Sequence, residues 1–134
     1  MKWDEQAALL LRKAHADEQA MEVLIASGSI GPELIGFHAQ QAAEKYLKAL
    51  MSHRHIAFPR THDLRTLLDS LDADGLPAAD GIDEICRLQP YAVEQRDDDV
   101  PAGTESIPAA DWMASRVKAV RAWVEANLDA PKNI

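Results

Sequence analysis

Three short stretches of the chain hold the residue types that could do chemistry. The first is His38-Ala39-Gln40-Gln41-Ala42-Ala43-Glu44-Lys45-Tyr46-Leu47-Lys48-Ala49-Leu50. Gln41, Lys45 and Lys48 recur at intervals of four and three, which places them on one helical face where two ammonium groups could meet a phosphate. Glu44 and Lys48 are an i,i+4 pair, a type worth about 0.2–0.5 kcal/mol on an exposed helix. The second is Phe58-Pro59-Arg60-Thr61-His62-Asp63-Leu64. Pro59 fixes the approach, Thr61 reads as the N-cap of a helix, and Asp63 falls in the first turn, where the helix dipole favours an anion. The backbone N–H groups of such a helix start can bind a phosphate, and His62 beside them could serve as general acid or base with Arg60 as its charged partner. The third is Tyr91-Ala92-Val93-Glu94-Gln95-Arg96, in which Tyr91 and Arg96 bracket a helix end. The candidate ligand-binding set is therefore Lys45, Lys48, Arg60, His62, Asp63, Tyr91 and Arg96, and the candidate catalytic pair is His62 with Arg60. Each stretch also has a plainer reading: a solvated face, a packed histidine, a cation favoured by a helix C-terminus.

The charge distribution gives these stretches a setting. The chain has 134 residues, 14 Lys+Arg and 22 Asp+Glu, for a net charge of −8. That balance argues against a general nucleic-acid binder, which needs a positive surface. Yet the 21 residues Lys45–Arg65 hold five basic residues (Lys45, Lys48, Arg54, Arg60, Arg65) and one acidic residue, Asp63. His53, His55 and His62 fall in the same window. A cationic site on an acidic body suits a phosphate-bearing ligand or an acidic partner.

Helical periodicity positions these residues. A first helix is expected over about residues 4–26, with Ala7, Leu10, Leu11, Ala14, Met21, Leu24 and Ile25 inward; Asp17 and Glu18 interrupt its apolar stripe, and Gly28 stops it. A second opens at Gly31-Pro32 and runs to about His53, with Ile35, Ala39, Ala42, Tyr46 and Leu50 inward. A short third, capped by Thr61, buries Leu64, Leu67, Leu68 and Leu71 and ends at Asp74-Gly75. A fourth is expected over about 78–96, kinked at Pro90, with Ile82, Ile85, Cys86 and Val93 inward. Residues 97–106 read as a loop. A last helix runs from near Pro108 to near Leu128 on Met113, Val117, Val120 and Val124, leaving a frayed tail at about 130–134. Strand signals are weak. The expectation is one all-α domain over residues 1–134, an antiparallel four-helix up-and-down bundle whose columns are helices 1, 2, 4 and 5, with the short helix 3 beside it.

Several chemistries are excluded or unsupported. No Gly-rich phosphate loop is present. The lone Cys86 permits no intramolecular disulfide and no cysteine-based zinc site, and no metal or cofactor is expected. No nucleophile elbow supports Ser/His/Asp catalysis. No apolar stretch approaches the ~20 residues of a membrane span, and no secretory h-region is evident, so a soluble cytoplasmic protein with no membrane partner is expected.

The run AQQAAEKYLKAL, the connector FPRTHDLRTLL and the segment YAVEQR, in that order, resemble the characteristic blocks of the HEPN family (higher eukaryotes and prokaryotes nucleotide-binding). The resemblance spans nearly the whole chain. It implies a compact helical bundle that commonly dimerises. Family members are often encoded beside a small nucleotidyltransferase and form toxin–antitoxin pairs with it, and many are metal-independent endoribonucleases. Their catalytic signature is an arginine followed, after four to six residues, by a histidine. This chain departs from it: seven residues separate Arg54 from His62, one separates Arg60 from His62, and no other arginine–histidine pair has the required gap. Asp97-Asp98-Asp99 also follow Arg96 where many relatives have an aromatic residue and a proline.

Three functions follow as expectations. The first is a HEPN homodimer that binds a nucleotide or nucleic-acid phosphate and acts with a nucleotidyltransferase partner in a toxin–antitoxin-like module. The second is a divergent metal-independent endoribonuclease that uses His62 with Arg54 or Arg60. The third is a non-catalytic dimeric interaction protein.

Overall fold

The structure is a computed structural model that describes residues 2–92 and 108–129. All its regular elements are helical: α1 (Lys2–Ser27), α2 (Pro32–His53), α3 (Leu64–Ala73), a 3-10 helix (Ile82–Tyr91) and α4 (Ala110–Asp129). No strand occurs among the described residues, as the sequence leads one to expect. No helix among them is long and apolar enough to cross a membrane.

α2 is the central element. Thirteen of its 22 residues are buried, and it touches α1, α3, α4 and the 3-10 helix. The reason lies in its composition: Ala39, Ala42, Ala43 and Ala49 are fully covered and let neighbouring helices approach closely, while Tyr46, Leu47, Leu50 and Met51 fill the space between them. Each fully buried leucine contributes about 1.5–3 kcal/mol of hydrophobic stabilisation. α1 is peripheral by comparison, with four buried residues out of 26. α3 docks through Leu64, Leu67, Leu68 and Leu71, the four leucines its spacing points inward. α4 inserts Met113, Val117, Val120 and Val124.

The helix ends explain where the chain turns. After α2, the N–H of Ile56 reaches the carbonyl of Met51 and that of His55 reaches Ser52, a Schellman closure with His55 in the left-handed region at φ 62°. That conformation is uncommon for a side-chain-bearing residue. The His55 ring stacks on Trp3, with centroids 5.4 Å apart and planes at 14°, tying the start of α1 to the end of α2. The same closure ends α3, with Gly75 at φ 92° in the left-handed position.

Two expectations about elements are corrected. The fourth segment is no long α-helical column over 78–96. It forms a 3-10 helix over Ile82–Tyr91, with Pro90 inside it. Proline lacks the N–H that an α-helix interior requires, and the tighter 3-10 winding accommodates it near the end of the segment. The four long columns expected of helices 1, 2, 4 and 5 are therefore three α-helices, with the 3-10 helix packed on α2, α3 and α4. The N-cap of α3 is Asp63 rather than Thr61. The Asp63 carboxylate accepts from the N–H of Arg65 at 3.1 Å, and the Thr61 hydroxyl accepts from the N–H of Asp63 one step earlier. Val93, Arg96, the 97–106 loop and the tail at 130–134 lie outside the described residues.

Candidate functional site

The site forms where α2 meets the connector that leads into α3. Its centre is Glu44, which is 3 % exposed. The sequence places it there: Gln40, Glu44, Leu47 and Met51 follow one another at intervals of four, three and four, so they share one helical stripe, and all four are buried. A carboxylate in that position needs partners. Lys48 Nζ donates to Glu44 Oε2 at 2.9 Å, and Gln40 Nε2 donates to Oε1 at 3.1 Å. The third partner comes from the connector: His62 Nδ1 lies 2.9 Å from Oε1 and 3.0 Å from Oε2. A carboxylate only accepts, so Nδ1 carries the hydrogen and Nε2 is left facing outward. The His62 side chain is 65 % exposed while Glu44 is covered, so a buried anion holds an exposed imidazole.

Two glutamines fix the connector behind the ring. The His62 carbonyl accepts from Gln40 Nε2 at 3.0 Å and from Gln89 Nε2 at 2.9 Å. Gln89 also accepts the N–H of Leu64 at 2.9 Å. α2, the connector, α3 and the 3-10 helix thus meet at one backbone position. Lys48 Nζ lies 5.3 Å from the Phe58 ring centroid, close enough for a cation–π contact that covers its stem.

The residues singled out by sequence divide accordingly. Lys48, His62 and Asp63 come together at this corner. Arg60 is exposed there, two residues before His62, and makes no hydrogen bond or ion pair among the described residues. Lys45 does not join them. It pairs with Asp17 of α1, whose other carboxylate oxygen lies 2.9 Å from His38 Nδ1. Arg54 is held by Asp74 through its side chain at 2.8 Å and its carbonyl at 3.1 Å. Asp74 caps the far end of α3, about 15 Å of helix from His62, so Arg54 cannot serve as the partner of His62 in one active site. Tyr91 is 6 % exposed with its ring against Gly36, so its side chain is a core element and not an open ligand contact. Arg96 lies outside the described residues.

The start of α3 is also less open to an anion than its position suggests. The N–H of Leu64 is taken by Gln89, that of Arg65 by the Asp63 carboxylate, and the Thr66 hydroxyl also donates to Asp63 at 3.0 Å. Asp63 acts as the helix's own anion. The positive window is muted for a related reason. Lys45, Lys48 and Arg54 are paired with Asp17, Glu44 and Asp74, all three of which lie outside the window in sequence.

A second polar centre lies on the far side of α2. Tyr46 donates its hydroxyl to Glu18 Oε1 at 2.6 Å, and Arg121 Nη1 stands 3.1 Å from Glu18 Oε2, a charge contact without hydrogen-bond alignment. Burial, reinforced by the Glu18 hydrogen bond, pushes the Tyr46 hydroxyl well above the ordinary tyrosine range. Asp17 and Glu18, which interrupt the apolar stripe of α1, are thus among the residues that join α1 to α2 and α4. Burial likewise raises the Cys86 thiol, which opposes thiolate formation. No cluster of three or more potential metal ligands exists among the described residues.

No curated protein and no solved structure matches the chain. The family comparison does: the model described as HEPN domain matches residues 7–127. That range takes in most of α1, all of α2, the Glu44–His62 corner, α3, the 3-10 helix and most of α4, so the chain belongs to the HEPN domain family.

Proposed function

We propose that the chain is a HEPN homodimer that recognises the phosphate of a nucleotide or RNA at the Glu44–His62 corner and acts with a nucleotidyltransferase partner. The HEPN domain supports a nucleotide- or RNA-related function broadly. The observation that carries the finer reading is the hydrogen bond from His62 to buried Glu44, which leaves Nε2 to the outside of the connector on which Arg60, two residues earlier, is exposed. In its protonated form the ring carries an N–H at Nε2 as well as at Nδ1, and an imidazolium N–H and a guanidinium are suited to phosphate oxygens. Titration with ATP and with single-stranded RNA at low salt tests it. Saturable binding that weakens with salt is expected, and His62→Ala and Arg60→Ala each weaken it about tenfold, near the 1.4 kcal/mol of one charge-assisted contact. Binding unchanged in both variants overturns this site. Co-expression with the product of the adjacent gene, followed by co-purification, tests the partner.

The same hydrogen bond favours a second reading, in which His62 acts as acid or base in metal-independent RNA cleavage with Arg60 stabilising the developing charge. Cleavage in the presence of a chelator that is lost in His62→Ala supports it. Cleavage that survives this substitution removes it.

A further inference from the structure

His62 is not the only imidazole held by a carboxylate against α2. Of the α2 residues 38–48, those that are not buried are His38, Gln41, Lys45 and Lys48. At 100° per residue they fall within about 80° of arc, so they line one open strip of the helix. The strip has an anchored histidine on each flank. On the α1 flank, His38 Nδ1 lies 2.9 Å from Asp17 Oδ1, and Lys45 takes the other oxygen of that carboxylate. On the connector flank, His62 Nδ1 lies 2.9 Å from Glu44 Oε1, and Lys48 pairs with the same carboxylate. The two centres repeat one arrangement: a covered carboxylate, a lysine that cancels its charge, and a histidine with an open side. At both, the carboxylate accepts, so Nδ1 carries the hydrogen. At both, Nε2 makes no hydrogen bond among the described residues.

The geometry points to a second phosphate subsite at His38, filled together with the His62 corner by one strand. An imidazole whose Nδ1–H is committed can donate to a phosphate only from Nε2, which means as the imidazolium. Each phosphate seated at such a centre therefore brings one proton with it. The charged groups facing the rings fit this. Asp17 of α1 and Lys45 of α2 face His38, and Glu44 and Lys48 of α2 face His62, with Arg60 and Asp63 beside it in the connector. Gln89 reaches the same corner from the 3-10 helix and is neutral. Neither α3 nor α4 contributes an ion pair to either centre among the described residues. With each lysine cancelled by its carboxylate, the protons on the two imidazoles supply the positive charge at these centres. Positions 38 and 44 are six residues apart on α2, about 9 Å of helix rise and about 120° of turn, farther than one phosphate group spans. A ligand that fills both centres carries phosphates well separated along a chain, which is the chemistry of a phosphodiester strand.

This inference rests on the reading of His62 as a phosphate contact and extends it to a second centre. The test is binding of a short single-stranded oligouridylate to the full chain at low salt, from about pH 6.5 to about pH 8, across and above the ordinary histidine range. The probe has 2′-O-methyl riboses, so it cannot be cleaved through its 2′-hydroxyls, and no terminal phosphate, so its phosphodiesters do not titrate there. Binding that takes up protons weakens as pH rises, about tenfold per pH unit for one proton and about a hundredfold for two. The wild type is expected to approach the hundredfold slope above about pH 7. His38→Gln keeps an amide donor for Asp17 but cannot titrate. It is expected to bind about tenfold more weakly at pH 6.5, the loss of one charge-assisted contact, and to show the tenfold slope. Unchanged helical circular dichroism confirms that this variant folds, and if it does not, the wild-type slope decides alone. A wild-type slope of tenfold or less, or a His38→Gln variant that binds like the wild type, overturns the second subsite. The His62 corner then still stands if His62→Ala weakens the strand. Binding that neither substitution changes, or no binding at all, overturns both.

Discussion

Glu44 and His62 are 18 positions apart in the chain, and their side chains meet at 2.9 Å. The carboxylate is covered and the imidazole is exposed, so the contact has a direction: the protein interior fixes the ring, and the ring presents its far nitrogen to solvent. Lys48 and Gln40 hold Glu44 from within α2, and Gln40 with Gln89 holds the backbone of His62. The imidazole is therefore oriented before any ligand arrives, which reduces the ordering cost of binding.

Replacing Glu44 separates its structural from its functional part. Glu44→Ala leaves the largely covered Lys48 without its acceptor and buried Gln40 with only the His62 carbonyl, and about 1–3 kcal/mol of stability should be lost in urea unfolding. Glu44→Gln keeps the shape but offers one oxygen to three donors, so a smaller loss is expected. Glu44→Ala frees the His62 ring and Glu44→Gln loosens its hold, and both should weaken ATP or RNA binding, the alanine more. Retention of full affinity in Glu44→Ala would show that the ring's orientation is irrelevant.

The cap of α3 gives a sharper comparison, because two neighbouring residues competed for it. Asp63 accepts from Arg65 and Thr66, whereas Thr61 accepts only from Asp63. Asp63→Ala should cost about 1 kcal/mol, the usual loss for an N-cap, and Thr61→Ala distinctly less. Thermal unfolding of the two variants side by side checks the order, and a larger effect at Thr61 would contradict the observed cap.

The preference for Thr61 shows how far the sequence was legible. Apolar spacing was enough to place α1, α2, α3 and α4 and the leucines that dock α3, because burial of a helical face follows a fixed period. Spacing could not choose between two capping residues two positions apart, nor say that Pro90 would turn a long helical pattern into a 3-10 helix. At the site, the window of positive charge was visible but its neutralisation was not. Asp17 and Asp74 reach Lys45 and Arg54 across the fold, and Glu44 sits one residue before the window begins. Glu44 itself carried a signal in its interval with Gln40, Leu47 and Met51. As an i,i+4 partner of Lys48 it read as a surface pair.

Gly36 is a packing requirement of the same region. A Cβ built on it would lie 2.6 Å from the first ring carbon of Tyr91, a root atom that cannot swing aside. Alanine is the better helix former by about 1 kcal/mol, but overpacking a filled contact costs about 1–3 kcal/mol. Gly36→Ala should therefore be destabilising on balance, with a lower urea midpoint. Gly36→Ala combined with Tyr91→Leu, which removes the obstructing ring, should recover part of the loss.

Tyr46 makes the far polar centre sensitive to alkali. Its hydroxyl is buried on Glu18, which holds the folded-state titration above the ordinary value of 10.0. Above that pH the unfolded chain releases the proton and the folded chain keeps it, so the unfolded state binds fewer protons and stability falls as pH rises. The contribution is complete below pH 10 and is lost above it, at up to about 1.4 kcal/mol per pH unit for one group. Tyr46→Phe cannot titrate. It should be less stable at pH 8, because a buried oxygen of Glu18 loses its donor, at a cost of about 1–3 kcal/mol. Its disadvantage should shrink between pH 10 and 11, since lysine ion pairs that also weaken there are common to both proteins. Urea unfolding at pH 8, 10 and 11 measures the difference directly. A gap that stays constant across these values would mean that Tyr46 ionises as readily in the folded chain as in the unfolded one.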